Sequence, residues 1–176
     1  MLYTGKGDNG TTKLFGCDQQ FSKSAHVVEA LGTLDELNSF LGICKTNIGI
    51  GSDTAARIQE IQHTLFSVQA EVAGSSKAID DERVSEMEQV INNIEKTLPP
   101  ITSFFLSGGT ELAAHFDFAR TLARRAERRV VAAREAGEIS VTDVTLAYLN
   151  RLSSFLYALA RQENKNRGMV EMPPHY

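Results

Sequence analysis

Five runs of apolar residues spaced by three and four, separated by glycine- or proline-bearing breaks, dominate this 176-residue chain. That spacing lines one face of an α-helix, whereas a half-buried strand needs an alternation of period two. The first run, from about residue 25 to 48, carries Val27, Leu31, Leu34, Leu37, Leu41 and Cys44. The second carries Ile58, Ile61, Leu65, Val68 and Val72 and stops at Gly74, a residue suited to a helix C-cap. The third, Val84, Met87, Ile91, Ile94 and Leu98, ends at Pro99-Pro100, through which no helix continues. The fourth runs from Leu112 through Phe116, Ala119, Leu122, Ala126 and Val130 to Gly137. The fifth opens at Ser140, with Asp143 at capping-box spacing, and carries Leu146, Leu149, Leu152, Phe155, Leu156 and Leu159 toward Gly168. No alternating pattern of useful length interrupts them. The expectation is an all-α, single-domain bundle of five helices over residues 23–168, preceded by a glycine-rich segment, 1–22, and followed by a tail, 169–176.

Composition narrows the classes of function. With 42% apolar and 23% charged residues, the chain has the balance of a globular protein rather than a disordered one. No stretch approaches the length of uncharged apolar sequence that spans a membrane, and MLYTGKGDNG has no targeting pattern, so a cytoplasmic protein is expected. Cys17 and Cys44 lack metal-site spacing, and Cys44 falls on an apolar stripe, so it reads as core. Glu60-x-x-His63 is half of a di-iron bundle signature whose second half is missing, so His63 reads as a surface residue and no metal ligand set is assigned. A net charge of −4 argues against a surface devoted to nucleic acid or an anionic membrane, while leaving room for a local basic site.

Such a site is visible. Residues 120–134, RTLARRAERRVVAAR, hold six arginines against one glutamate. Arg120, Arg124 and Arg128 share one helix face, with Arg125 and Arg129 one position round, so their forks can converge on a multiply charged anion. The competing reading is a solvated basic face paired with acids elsewhere; small Ala123 and Ala126 beside it would let a helix or ligand approach closely. The N-terminal Gly5, Gly7 and Gly10 match a dinucleotide fingerprint and nearly match a phosphate loop. Both matches fail on context, since only four residues precede Gly5. What survives is local: glycines that admit backbone N–H groups to an anion, hydroxyls from Thr4, Thr11 and Thr12, and charge from Lys6 and Lys13, a set suited to polyphosphate or to a plain terminus. Asp35 borders the first stripe and either caps, solvates or pairs with an arginine across a packed interface. Asn150, inside an apolar run, reads as a buried asparagine that needs partners. The Ser107-Gly108-Gly109-Thr110 turn opens the arginine helix with free N–H groups, and Phe104 and Phe105 precede it as core lid or ligand contact.

Four segments, YTGKGDNGTTKLFG, VEALGTLDELNSFLG, FFLSGGTELAAHFDFARTLARRAERRVV and YLNRLSSFLYALARQENK, together resemble the PduO-type ATP:cob(I)alamin (corrinoid) adenosyltransferases over nearly the whole chain and in family order. The resemblance implies a five-helix bundle assembled as a homotrimer with sites between subunits, acting on ATP, Mg2+ and cob(I)alamin, with a cobalamin reductase as a further partner and neither nucleic acid nor membrane. It implies that Thr4, Gly5, Lys6, Gly7, Asp8, Gly10, Thr11 and Thr12 wrap ATP, joined by Lys23. Arg124, Arg125, Glu127, Arg128 and Asn150 would hold the nucleotide and its triphosphate. Asp35 and Arg120 would pair across subunits near the corrinoid, and Phe104 would face the lower side of the cobalt. The chain departs from the family's usual proline at Ser107, histidine at Asp117 and arginine at Val27; Asp117 places an acid three residues before Arg120, where it bears on corrinoid affinity.

Overall fold

The computed structural model describes residues 2–14, 16–49 and 51–175; Phe15 of the first motif, Ile50 and the two terminal residues lie outside the described set. The five helices are present: α1 His26–Thr46, α2 Asp53–Val72, α3 Asp81–Glu95, α4 Glu111–Glu135 and α5 Asp143–Asn166. The arginine-bearing α4 is central, packing against both α1 and α5, while α2 lies on α1 and α3 on α5. Leu34, Leu37, Leu41, Ile58, Leu65, Leu149 and Leu156 are fully buried, each such side chain contributing about 1.5–3 kcal/mol of transfer free energy. Cys44 is in this core, as its place on the stripe implied, and His63 is exposed. Ala119, Ala123 and Ala126 are also completely buried. The small stripe beside the arginines is therefore used for packing within the chain rather than offered to a ligand.

The helix ends are tied across the bundle. Glu138, just beyond α4, accepts the Val27 N–H at 2.9 Å and meets His26 Nδ1 at 2.8 Å, so a carboxylate caps the start of α1. Glu71, buried near the end of α2, accepts the Thr142 N–H at 2.6 Å and the Thr145 hydroxyl at the start of α5. This changes where the fifth helix begins. Thr142, not Ser140, is the N-cap, its hydroxyl accepting the Thr145 N–H at 3.2 Å. Val141 is drawn into the core and Glu71 holds the backbone after it, so the capping-box spacing from Ser140 goes unused.

The N-terminal segment contains a feature the periodicity did not disclose. Strands β1, Thr11–Lys13, and β2, Gln20–Ser22, pair antiparallel with Thr12 opposite Phe21. At three residues each they are too short for alternation to register. Beneath them Lys23 N–H donates to the Gly10 carbonyl at 2.9 Å. A side chain at Gly7 would press on the Thr11 carbonyl and on Lys23 Nζ at 3.0 and 3.1 Å, so glycine there lets the lysine fold over the loop.

Candidate active site

Three clefts gather most of the chemistry-bearing residues. The first, of about 330 Å³, lies between the 101–107 loop, α4 and α5, and is lined by Phe104, Asp117, Arg120, Arg124, Tyr157 and Arg161 among others. The loop is held from α5: Asn164 Oδ1 accepts the Thr110 N–H at 3.1 Å, and its Nδ2 donates to the Gly108 carbonyl at 2.8 Å. Gly109 has φ +105°, and a Cβ there would collide with the Asn164 amide, so only glycine fits. Thr110 then caps α4 by accepting the Ala113 N–H at 3.1 Å. Phe104 stands at the rim with most of its surface exposed, whereas Phe105 is half-buried with the Arg161 guanidinium 5.3 Å from its ring centroid.

The wall of this cleft is an extended polar chain. Arg161 is only 4% exposed, and its guanidinium meets the Glu171 carboxylate through Nε at 2.9 and 3.0 Å and through Nη2 at 2.8 Å. That pairing raises the Arg161 pKa further above its ordinary value. The Leu106 N–H donates to the Met172 carbonyl at 2.9 Å, so the tail runs alongside the loop that bears Phe104. Asp117 is buried; its Oδ2 accepts the Gly108 N–H at 3.1 Å and its Oδ1 lies 3.6 Å from Arg120 Nε. Burial pushes the Asp117 carboxyl above its ordinary range, although the Gly108 N–H and the Arg120 charge pull the other way. Burial likewise raises the Tyr157 phenol.

The second cleft, of about 320 Å³, is lined by Arg124, Glu127, Arg128 and Asn150. Asn150 is exposed, which corrects its reading as a buried asparagine. The one-residue step from buried Leu149 rotates it about 100° off the apolar seam toward Glu127 of α4, and its partners are charged. Its Nδ2 donates to Glu127 at 2.9 Å, and its Oδ1 accepts from Arg151 at 2.8 Å. A donor-only guanidinium on one side and a carboxylate on the other fix the orientation of the amide. Arg151 is anchored in turn to Glu88 of α3 at 2.6 Å.

The third cleft, of about 370 Å³, is lined by Thr12, Lys23, Gly32 and Glu36 and shares no residue with the other two. Thr4, Gly5, Lys6, Gly7, Asp8, Gly10 and Thr11 precede it in a turn closed by Asp8 N–H to the Gly5 carbonyl at 3.3 Å and Gly10 N–H to the Gly7 carbonyl at 3.1 Å. Arg125 turns toward α1 and pairs with Glu36, and Arg129 reaches Glu29 at 3.8 Å. Asp35, one position before Glu36, is exposed and has no ion-pair partner among the described residues. The arginine run thus divides. Arg125 and Arg129 act as a basic face salt-bridged to acids on α1, while Arg120, Arg124 and Arg128 face the clefts of α4 and α5.

Sequence reasoning did not single out Tyr157, Arg161, Asn164 or Glu171. A lone arginine four residues after a tyrosine within an apolar helix was the available sign of the first pair. Glu171, in an aperiodic tail, offered none.

Comparison with known proteins gives the family. The sequence model described as cobalamin adenosyltransferase matches residues 2–163. The corrinoid adenosyltransferase of Bacillus subtilis is 39% identical over 178 residues, covering 97% of this chain and 90% of that protein. Corrinoid adenosyltransferase PduO of Salmonella typhimurium is 42% identical over 172 residues, and the chain spans half the length of that protein and of its Citrobacter freundii counterpart. Among solved structures, a variant PduO-type ATP:corrinoid adenosyltransferase from Lactobacillus reuteri complexed with cobalamin and ATP superposes with a TM-score of 0.90 at 32% identity, covering 99% of this chain and 97% of that one. On a family match across most of its length, close relatives and a shared fold, the chain belongs to the cobalamin adenosyltransferase family.

Proposed function

We propose that this chain transfers the 5′-deoxyadenosyl group of ATP to the cobalt of cob(I)alamin, releasing triphosphate. The observation that carries this reading is that Arg124 lines both the aromatic-rimmed first cleft and the arginine–glutamate–asparagine second cleft. A triphosphate gripped in the second cleft has its ribose end next to whatever occupies the first. In the reaction the Co(I) electron pair attacks ribose C5′, the C5′–O bond breaks and triphosphate leaves with the negative charge. No general base is needed, because the cobalt is the nucleophile and the protein supplies positioning and charge. Arg124 and Arg128 would stabilise the leaving oxygens, and Glu127 and Asn150 would orient the sugar and base. Phe104 at the rim would exclude a lower axial ligand from the cobalt, a control exerted through ligation.

In this reading the glycine loop and Lys23, which line a cleft apart from that of Arg124, complete the nucleotide site from a neighbouring copy. The family resemblance implies a homotrimer with sites between subunits, with Asp35 of one subunit meeting Arg120 of the next and Arg125 joining Arg124 and Arg128 on the nucleotide. Among the described residues no three His, Cys, Asp or Glu side chains gather to hold an ion. An accompanying Mg2+ would be carried mostly by phosphate oxygens and water, as its reluctance to dehydrate favours. No helix among the described residues is long and apolar enough to cross a membrane; a cytoplasmic enzyme fed by a separate cobalamin reductase fits the chemistry.

The test is anaerobic. Protein, Mg-ATP and chemically reduced cob(I)alamin are expected to give adenosylcobalamin, read from its spectrum, and one triphosphate per adenosyl group. Binding of ATP by folded protein without either product would overturn the assignment.

A further inference from the structure

The buried Asp117 has no part in the chemistry above, yet it occupies the wall of the first cleft and each of its oxygens has a different task. Oδ2 accepts the Gly108 N–H at 3.1 Å and so fixes the glycine turn that launches α4. Oδ1 faces Arg120 Nε at 3.6 Å. That Nε is itself buried and makes no hydrogen bond among the described residues, so the Asp117 carboxylate is what compensates it. The Tyr157 ring lies 5.8 Å from the Arg120 guanidinium carbon. Arg120 is therefore held at its inner edge by an acid and along its length by an aromatic ring. Its terminal nitrogens have no hydrogen-bond or ion-pair partner among the described residues.

Resting on the adenosyltransferase reading, we propose that Asp117 is a positioning residue for the corrinoid: it locks the Arg120 guanidinium and the Ser107–Gly109 turn into one rigid wall, so that the corrinoid meets a preformed surface. A residue one turn before Arg120 on the same helix face is the shortest route to such a restraint. Only an ionised carboxylate can accept from Gly108 through one oxygen while setting negative charge against Arg120 with the other. An amide in its place has one acceptor oxygen and one donor nitrogen, so it can satisfy Gly108 or face Arg120 correctly, but not both. Removing the charge also strands a partly buried guanidinium.

The experiment uses the full chain and four proteins: wild type, D117N, R120Q and the double variant. Steady-state KM values are measured for cob(I)alamin and for ATP, and binding of cob(II)alamin to the Mg-ATP-loaded protein is followed by its visible spectrum. D117N is expected to weaken corrinoid binding about fivefold or more while the KM for ATP stays within about twofold, and the double variant should bind no more weakly than R120Q, the non-additivity of residues acting through one another. Corrinoid affinity unchanged in folded D117N, KM values for both substrates rising together, or additive losses in the double variant would each overturn the proposal. Should D117N not fold, R120Q decides: it leaves the turn anchored, and wild-type corrinoid affinity in it removes Arg120, and with it Asp117, from the corrinoid wall. Wild-type protein that binds no corrinoid would instead strike at the adenosyltransferase reading.

Discussion

Arg124 is the side chain on which the two clefts of α4 depend, because it lines both. Its removal should cost the scale of one preorganised donor to a developing anion, on the order of 2–4 kcal/mol of transition-state stabilisation. The measurement is kcat/KM for Arg124→Ala with Mg-ATP and cob(I)alamin, and undiminished turnover would take Arg124 out of the site. Phe104 predicts a different split. It stands exposed at the rim and lines only the first cleft, so Phe104→Ala should leave ATP binding unchanged and slow adenosylation; weakened ATP binding would make it a packing residue. Side chains of these kinds were legible before the fold was known, because charge density on one helical face and aromatics beside a glycine turn are local signals. Asn150 was legible as chemically out of place but misread as buried, since the surrounding apolar run outweighed the adjacent Arg151 and the sequence does not show Glu127 of α4 beside it in space. Glu171 was not legible at all: its role arises from a return of the chain onto Arg161 that no periodicity encodes.

At the scale of elements, the helices were legible because their stripes repeat over four or more turns, and their boundaries were less so because the caps come from elsewhere. Glu71 and Glu138 each stop or start a helix far from their own position in the chain. The Glu138 cap has a titration to follow. Hydrogen bonding to His26 and to the Val27 N–H holds its carboxyl below the ordinary range. A group whose folded pKa is lowered contributes stability that is present above its unfolded pKa and is lost as pH falls through the folded one. Glu138→Gln should therefore lower Tm near neutrality, and the gap to wild type should close in acid, below the ordinary carboxylate range. A gap that persists unchanged into strong acid would mean the carboxylate's charge plays no part in the cap. Gly109 makes a second element-level case. Alanine there meets both a positive φ and the Asn164 amide, a strain of about 1–3 kcal/mol, so Gly109→Ala should lower Tm and loosen the turn that bears on the first cleft. An unaltered Tm would show that the turn yields freely.

For the whole molecule, the division of the residues proposed to handle the nucleotide between separate surfaces has a stoichiometric consequence. Lys23 and Thr12 line one cleft and Arg124 and Arg128 another, with no residue in common. If one chain's arginines are completed by the next chain's glycine loop, a variant defective in either half fails alone, yet a mixed assembly contains some sites in which both halves are intact. In a closed ring each site draws one half from each of two neighbours. With equal amounts of Arg124→Ala and Lys23→Ala chains assorting at random, a site takes its arginines from a Lys23→Ala chain half the time and its loop from an Arg124→Ala chain half the time. About one quarter of the sites are then whole, and the mixture should recover about a quarter of wild-type turnover after the two are unfolded and refolded together. Mixing without subunit exchange should recover nothing, which controls for trace wild-type protein. A refolded mixture no more active than its components, at a sedimentation mass equal to that of wild type, would place both halves of the site within a single chain and undo the intersubunit arrangement while leaving the reaction itself untouched.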